Sequence, residues 1–245
     1  MFGFRELTDF TFNMYGLITL HNEAYQPLAD LTWTQNKVVY AERHGYAAIC
    51  KTDGFREGSG IGYQKIYFAK EVLETNPELE WIWWTGTDTL ITNFAVKIED
   101  RIDNNYHFMI CVDVNGINAD SLLIRNSPEA IKFLDDVIAI EEESSKHWDC
   151  EQRAIARVMG VPVPPEPWPM SPFAPVSESA ESIVKVMPQR FMNSFNYQLY
   201  HYTDQRDKLG IDGNWNVGDW LIHWPATSLD HRLHLSSFYM QHIVK

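Results

Sequence analysis

The chain has 245 residues, enough for one large α/β domain or two small ones around a sizeable buried core. Its 20 Lys and Arg against 33 Asp and Glu give a formal charge of −13 with no basic run, which argues against nucleic acid and anionic membrane as partners. Aromatic residues make up 13% of the chain against 22% charged, which excludes a disordered or low-complexity scaffold.

Periodicity changes along the chain as alternating strands and helices require. The first twenty residues carry Glu6 and Asp9 and no apolar run of about 18 residues, so they read as neither signal peptide nor membrane span. Residues 14–20 read as a first strand ending at His21-Asn22-Glu23. Residues 31–44 read as a helix with His44 in its last turn and Gly45 just past its end, and 46–50 as a short buried strand. From 64 to 75, Ile66, Ala69, Val72 and Leu73 share one helical face before Asn76-Pro77 stops the run. Glu80-Trp-Ile-Trp-Trp84 reads as a buried strand that breaks into the polar turn Thr85-Gly-Thr-Asp-Thr89, and open α/β sheets place ligands at such carboxyl ends.

Residues 106–112 and 121–125 read as strands around a turn marked by Asn115-Gly116. Ser127 and Pro128 start one helix, with Ile131, Leu134 and Ile138 as its buried stripe. Asp149 is expected to cap another, with Gln152 completing a variant capping box and Gly160 ending it. Residues 161–175 hold seven of the twelve prolines and are expected to form an exposed loop or lid. Residues 183–187, 197–202 and 220–224 read as strands and 228–243 as a closing helix. No repeat appears at solenoid periods, and the short spacers favour one compact α/β domain over residues 1–245. Cys50, Cys111 and Cys150 are too widely spaced for a disulfide framework or zinc knuckle, which fits a reducing compartment.

Two residues stand out for chemistry. Asp88 is by default a turn aspartate beside Gly86 and Thr87; its functional reading is a ligand for a hard metal at the sheet edge. His223 alternates against Ile222 and Trp224 along its strand. Alone it reads as a structural histidine, but imidazole with carboxylate makes a partial shell for Mn²⁺ or Mg²⁺. Trp81 and Trp83 read as core, whereas Trp168, Tyr197, Tyr200 and Tyr202 are candidate platforms for stacking on a sugar's apolar C–H face.

Linked blocks resemble glycosyltransferase family 34, the galactosyl-, mannosyl- and xylosyltransferases. Asn36-Lys-Val-Val-Tyr-Ala-Glu-Arg-His-Gly-Tyr46 is similar to the family's N-K-x-x-Y-A-x-x-H-G-Y, and Gln64-Lys-Ile66 to a W-x-K-I helix start. WIWWTGTDTLITN (81–93) is similar to the block carrying the family's D-x-D metal motif, and NADSLLIRNS (118–127) to N-T-G-S-F-L-I-R-N-S. Trp148–Gln152 (W-D-C-E-Q) is similar to the family's W-x-x-Q segment with one more residue between Trp and Gln, residues 187–195 (MPQRFMNSF) are similar to V-P-Q-x-x-x-N-S-Y, and residues 218–223 match G-D-x-x-x-H. The blocks run in family order over about residues 15–235.

The resemblance implies a GT-A fold, an α/β architecture with a Rossmann-like mixed central sheet flanked by helices. It implies a retaining transferase that moves a hexose or pentose from a nucleotide-diphosphate sugar, UDP- or GDP-linked, to a glycan or other hydroxyl acceptor. Asp88 and His223 would hold Mn²⁺ (or Mg²⁺), and Lys65, Thr87, Asp88, Asn118 and Arg232 would bind the donor. The first strand and the 36–46 block would flank base and ribose. Asn118 and Asp120, emerging from a turn at 118–121, would lie near the sugar hydroxyls, and Asp149, Glu151 and Gln152 near the anomeric carbon. Retention admits two routes: Glu151 or Asp149 as covalent nucleophile, or same-face attack with Gln152 as a stabilising dipole and the leaving phosphate taking the proton. Eukaryotic relatives carry a Golgi membrane anchor, so a chain without one is expected to be a soluble, cytoplasmic enzyme of bacterial or viral type.

The chain departs from the pattern twice. Gly86 stands where the family has the first Asp of D-x-D, and Asp120 where it has Gly. The first weakens the expected metal site; the second adds a carboxylate that alters donor choice or recovers charge. The competing reading is a non-catalytic nucleotide-sugar or glycan-binding protein on the same scaffold. A nucleotidyltransferase ranks third, because residues 15–25 contain no Gly-rich phosphate loop bearing Lys or Arg.

Overall fold

The computed structural model describes residues 14–163, 182–200 and 205–245. Most of the proline-rich segment, Trp168 and Tyr202 lie outside the described residues.

Strands β1 (Tyr15–Leu20), β2 (Ala47–Lys51) and β3 (Trp81–Thr85) are parallel, with β1 in the middle. The chain between β1 and β2 runs through three successive helical segments: α1 (Gln26–Ala29), an eight-residue π-helical stretch (Asp30–Lys37) and α2 (Val38–His44). Gly45, at φ 72°, ends it with its N–H on the last carbonyls, a left-handed conformation that a side chain would strain. Helix α3 (Ile61–Thr75) begins at Ile61, three residues before the expected start, and carries the chain to β3.

All five residues of β3 are buried, which only a central strand covered on both faces sustains. Trp81 and Trp83 face one apolar cluster, Ile82 and Trp84 the other. Strand β4 (Thr89–Ile91) follows three residues after β3 and leaves the main sheet. Strands β5 (Phe108–Val112) and β6 (Ile117–Arg125) return antiparallel, β6 pairing with β3 so that Thr85 faces Ser121.

Strand β6 is longer than expected. The turn closes over Asp113–Gly116, where Asp113 Oδ1 accepts the N–H groups of Asn115 and Gly116 at 2.6 and 3.2 Å. Asn118 and Asp120 therefore lie on the strand rather than in a turn.

Helix α4 (Pro128–Ala139) starts as its sequence predicts, with Ser127 Oγ accepting the Ala130 N–H at 3.2 Å. A single turn, α5 (Glu141–Ser144), leads to α6 (Cys150–Val158). The capping box expected there is not formed: Asp149 is already helical at φ −84° and ψ −4°, and its carboxylate accepts from Arg153 instead. Strand β7 (Val184–Pro188) completes the six-stranded order β2-β1-β3-β6-β5-β7.

Strands β8 (Ser194–Phe195) and β9 (Leu221–His223) join β4 in a second sheet, order β4-β9-β8, and α7 (Leu229–Tyr239) closes the chain. The two sheets share a core in which Trp83 and Trp220 stack with centroids 3.8 Å apart. The strand expected at 197–202 is a turn at Tyr197–Leu199, because Asn196 Oδ1 caps the Gln198 N–H and Tyr197 is buried against Gln189. Tyr197 is thus core and not a platform. No helix among the described residues is long and apolar enough to cross a membrane, and the three cysteines are free thiols.

Candidate active site

The Thr85–Thr89 turn breaks away from β3 into β4, and its exposed carbonyls need partners. The π-helical stretch supplies them. Thr32 Oγ1 donates to the Thr87 carbonyl at 2.7 Å, Lys37 Nζ to those of Gly86 and Thr89 at 2.7 and 3.0 Å, and Asn36 pairs with both backbone groups of Ile91. The wider turn of a π-helix brings residues 32, 36 and 37 to one inward face. Asn36 and Lys37 therefore brace the turn from within the protein and do not flank a bound base, as the resemblance suggested. Complete burial pushes Lys37 down to about 7, with Asp88, Cys50 and Asp120 only partly opposing the shift.

At the carboxyl ends of β1 and β3 the chain encloses a cleft of about 540 Å³. Its walls include Leu20, His21, Tyr25, Lys65, Asp88, Asp120, Trp148, Glu151 and Arg232. Thr87 also lines it, with its hydroxyl turned to the Leu20 carbonyl at 2.7 Å.

Three side chains converge on one wall. Asp88, Asp120 and His223 each present a ligand atom, all within 4.8 Å of one another. His223 Nε2 lies 3.6 Å from Asp88 Oδ2 and 3.5 Å from Asp120 Oδ2. The imidazole is fully buried, its Nδ1 bonds Asn193 Oδ1 at 2.9 Å, and Nε2 has no hydrogen-bond partner. With an amide oxygen on Nδ1, the neutral ring keeps its proton there and turns the Nε2 lone pair toward the carboxylates. A buried nitrogen lone pair facing two carboxylate oxygens is costly without a cation and suits a divalent ion. These donors fit Mn²⁺ or Mg²⁺.

Cations secure the two carboxylates. Arg232 Nη2 holds Asp88 Oδ2 at 2.8 Å while Arg232 Nη1 bonds the Tyr25 hydroxyl at 3.2 Å. Burial works against the Asp88 charge; His223 when protonated, and then Arg232, outweigh it and hold the carboxyl well below the usual range, whereas the neutral ring leaves that task to Arg232. Lys65 Nζ meets Asp120 Oδ1 at 2.8 Å, Glu151 Oε1 at 2.9 Å and the Ala119 carbonyl at 3.0 Å. Burial opposes the Lys65 charge too, yet Asp120 and Glu151 reverse that and keep it a firm ammonium.

Of the residues singled out in the sequence, the cleft gathers Lys65, Thr87, Asp88, Asp120, Glu151 and Arg232, with His223 beneath. The others are engaged elsewhere. Asp149 is buried and bonded to Arg153 Nε at 2.8 Å. Gln152 Oε1 accepts the Ala119 N–H at 3.1 Å. Asn118 donates to Asp113 Oδ2 and accepts the Asp120 N–H, shaping the strand under Asp120. Sequence reasoning missed Lys37, Asn193 and Trp148, although each sits inside a block already noticed.

A sequence profile described as the galactosyl transferase GMA12/MNN10 family matches residues 17–104 and 101–223, a span containing Asp88, Asp120 and His223. The chain belongs to this family. Among curated relatives of this GMA12/MNN10-family chain, an uncharacterised alpha-1,2-galactosyltransferase of Schizosaccharomyces pombe is 31% identical over 142 residues, covering 42% of this chain and 38% of the relative. A Saccharomyces cerevisiae protein named as a probable alpha-1,6-mannosyltransferase, MNN10, is 25% identical over 201 residues, covering 66% and 46%. The chain thus spans under half the length of these relatives. The crystal structure of a glycosyltransferase involved in glycosylation of the major capsid of PBCV-1 superposes with a TM-score of 0.67 at 14% identity, covering 91% of this chain and 98% of that one. That likeness shows the fold, and the GT-A arrangement expected from the sequence is the one observed.

Proposed function

We propose that this chain is a metal-dependent, retaining glycosyltransferase that moves a hexose or pentose from a UDP- or GDP-sugar to a hydroxyl of a glycan acceptor. The observation that carries the reading is the orphaned Nε2 of His223 facing Asp88 and Asp120 on the wall of an open cleft. Asp88 and His223 would hold Mn²⁺ or Mg²⁺, which when bound neutralises the donor diphosphate and the charge that develops as the nucleotide leaves.

Charge supports the metal requirement. Among the described residues, the cleft is lined by three carboxylates (Asp88, Asp120 and Glu151) against two cations, Lys65 and Arg232, each already paired with a carboxylate. Without a further cation the cleft would repel a diphosphate. Arg232 and Lys65 lower the local negative charge, and Thr32 fixes the Thr87 backbone at the cleft wall.

For retention we favour same-face attack, with the leaving phosphate accepting the acceptor's proton. Gln152 Oε1 accepts the Ala119 N–H, Asp149 is paired with Arg153, and neither lines the cleft, which speaks against either as nucleophile or dipole. Glu151 does line it, but Lys65 holds one of its oxygens at 2.9 Å, which blunts its nucleophilicity and suits it to stabilising positive charge at the anomeric carbon. On the acceptor side Trp148, 61% exposed at the rim beside Ile61, offers the aromatic face sought in Trp168 and Tyr202.

A panel of UDP- and GDP-sugars with and without Mn²⁺, read by nucleotide release, tests the reading. Release that needs Mn²⁺ and is lost in Asp88→Asn supports it, and the product's anomeric configuration by NMR decides retention. Donor binding without release for every sugar would instead favour a non-catalytic binding protein.

A further inference from the structure

We propose that Asp120 supplies, from the facing strand β6, the metal-binding carboxylate that position 86 lacks, so that Gly86 and Asp120 form an exchanged pair. The inference rests on the metal-dependent reading above and goes beyond it in assigning where the third protein ligand is mounted.

The two positions face each other across the β3–β6 ladder. Thr85 is registered against Ser121, and one step on the Gly86 N–H donates to the Asp120 carbonyl at 3.0 Å. Facing positions on adjacent strands project side chains to the same side of a sheet. A carboxylate grown from either can thus enter one volume. A Cβ on Gly86 would lie 3.5 Å from Asp120 Oδ1 and 3.6 Å from Asp120 Cβ, and only 2.8 Å from Asp88 Oδ1. A side chain at residue 86 would therefore stand in contact with Asp120, in the same volume, and would push against the Asp88 carboxylate.

Gly86 does not have a left-handed backbone, so its lack of a side chain answers to space and not to conformation. Asp120 is oriented for the task. Its Oδ1 is fixed by Lys65 at 2.8 Å, which leaves Oδ2 facing the buried Nε2 of His223 at 3.5 Å. Asn118 fixes its backbone by accepting the Asp120 N–H at 3.0 Å. Chemistry needs a carboxylate opposite Asp88 and His223, and is indifferent to which strand bears it.

The test titrates Mn²⁺ into the full chain, with and without UDP, and follows free Mn²⁺ by its aqueous EPR signal, with circular dichroism reporting the fold. Wild type takes up Mn²⁺, and His223→Ala loses it. Asp120→Asn, which keeps the side-chain volume, weakens binding about 10–100-fold or more, at least the effect of losing a supporting group at a metal site. Asp120→Gly does the same, and Gly86→Asp added to it restores affinity to within about tenfold of wild type. Gly86→Asp alone gives no gain, because three carboxylates then compete for the space of two. Wild-type affinity in Asp120→Asn, or no recovery in the Gly86→Asp/Asp120→Gly double variant, overturns the exchange while leaving metal binding by Asp88 and His223 intact. Absence of Mn²⁺ uptake by wild type, with or without UDP, overturns both.

Discussion

The Lys37 ammonium reaches the Gly86 carbonyl at 2.7 Å from beneath the turn that carries Asp88, so a buried cation rather than a cleft residue sets the height of the metal wall. Lys37 has no carboxylate within ion-pair distance among the described residues and relies on two carbonyls. Replacing it with Met takes this donor from the Thr89 carbonyl and leaves the Gly86 carbonyl with only its Thr89 donors, which costs about 1–3 kcal/mol for a buried polar group, partly offset because a desolvated ammonium is removed. The sign of the pH effect separates the two contributions. The amine is pushed down to about 7 in the folded chain from 10.5, so between those values the unfolded chain binds more protons. The penalty is full below about 7 and fades as pH rises toward 10.5. Urea denaturation at pH 7 and pH 9.5 should show wild type gaining stability relative to Lys37→Met at the higher pH.

Asn193 acts on the site through His223. Its Oδ1 keeps the proton on Nδ1, and Asn193→Ala frees the ring to adopt the other tautomer, with Nε2 protonated toward Asp88 and Asp120. Mn²⁺ affinity should fall about 10–100-fold, as for other groups that orient a metal-binding histidine. Asn193→Asp, which retains an acceptor for Nδ1, should recover most of the affinity, whereas Asn193→Leu, which fills similar space without an acceptor, should not; equal recovery in both would show that Asn193 only fills space.

Lys65 neutralises two carboxylates at once. Lys65→Met should destabilise the chain by about 3–5 kcal/mol, since Asp120 and Glu151 are left facing each other with no cation between them. Glu151→Gln added to it removes one of the two charges, so the double variant should be more stable than Lys65→Met alone. Thermal melts of the four chains give the coupling directly; strict additivity would show that Glu151 does not sense Lys65.

Much of this was legible in the sequence because local chemistry and tertiary role agree. The Trp81–Thr85 strand, the Ser127-Pro128 helix start and the Gly45 stop are dictated by burial pattern, a missing N–H and a positive φ, each contained in a few residues. Asp88 and His223 were recognisable because each is a polar side chain at the end of a buried strand, whereas Lys65 and Arg232, which sit on helices, were singled out by the family resemblance. What could not be read were choices between partners distant along the chain. Asp149 looks like a helix cap until buried Arg153 takes its carboxylate, and Gln152 looks like a capping-box residue until the Ala119 N–H claims it. Lys37 gives no outward sign of its role, because the π-helical register that turns it inward leaves no mark in the apolar periodicity. Asp120 appeared to belong to a turn because the Asn115-Gly116 signal fixes where a turn occurs and not how many residues it takes.

Trp148 offers the clearest separation of acceptor from donor. It is 61% exposed at the cleft rim, in the polar segment between α5 and α6, where a large aromatic side chain gains little from the core. Trp148→Ala should keep the fold, since most of the side chain is exposed. Donor hydrolysis in the absence of acceptor depends on the metal wall and should also be unaffected. Acceptor KM should rise about 5–15-fold, corresponding to the roughly 1–1.5 kcal/mol that a stacked ring contributes beyond simple burial. Trp148→Phe should regain most of the loss because it keeps a flat apolar face. A fall in kcat with KM unchanged would instead place Trp148 against the reacting sugar, and the same steady-state measurement distinguishes the two.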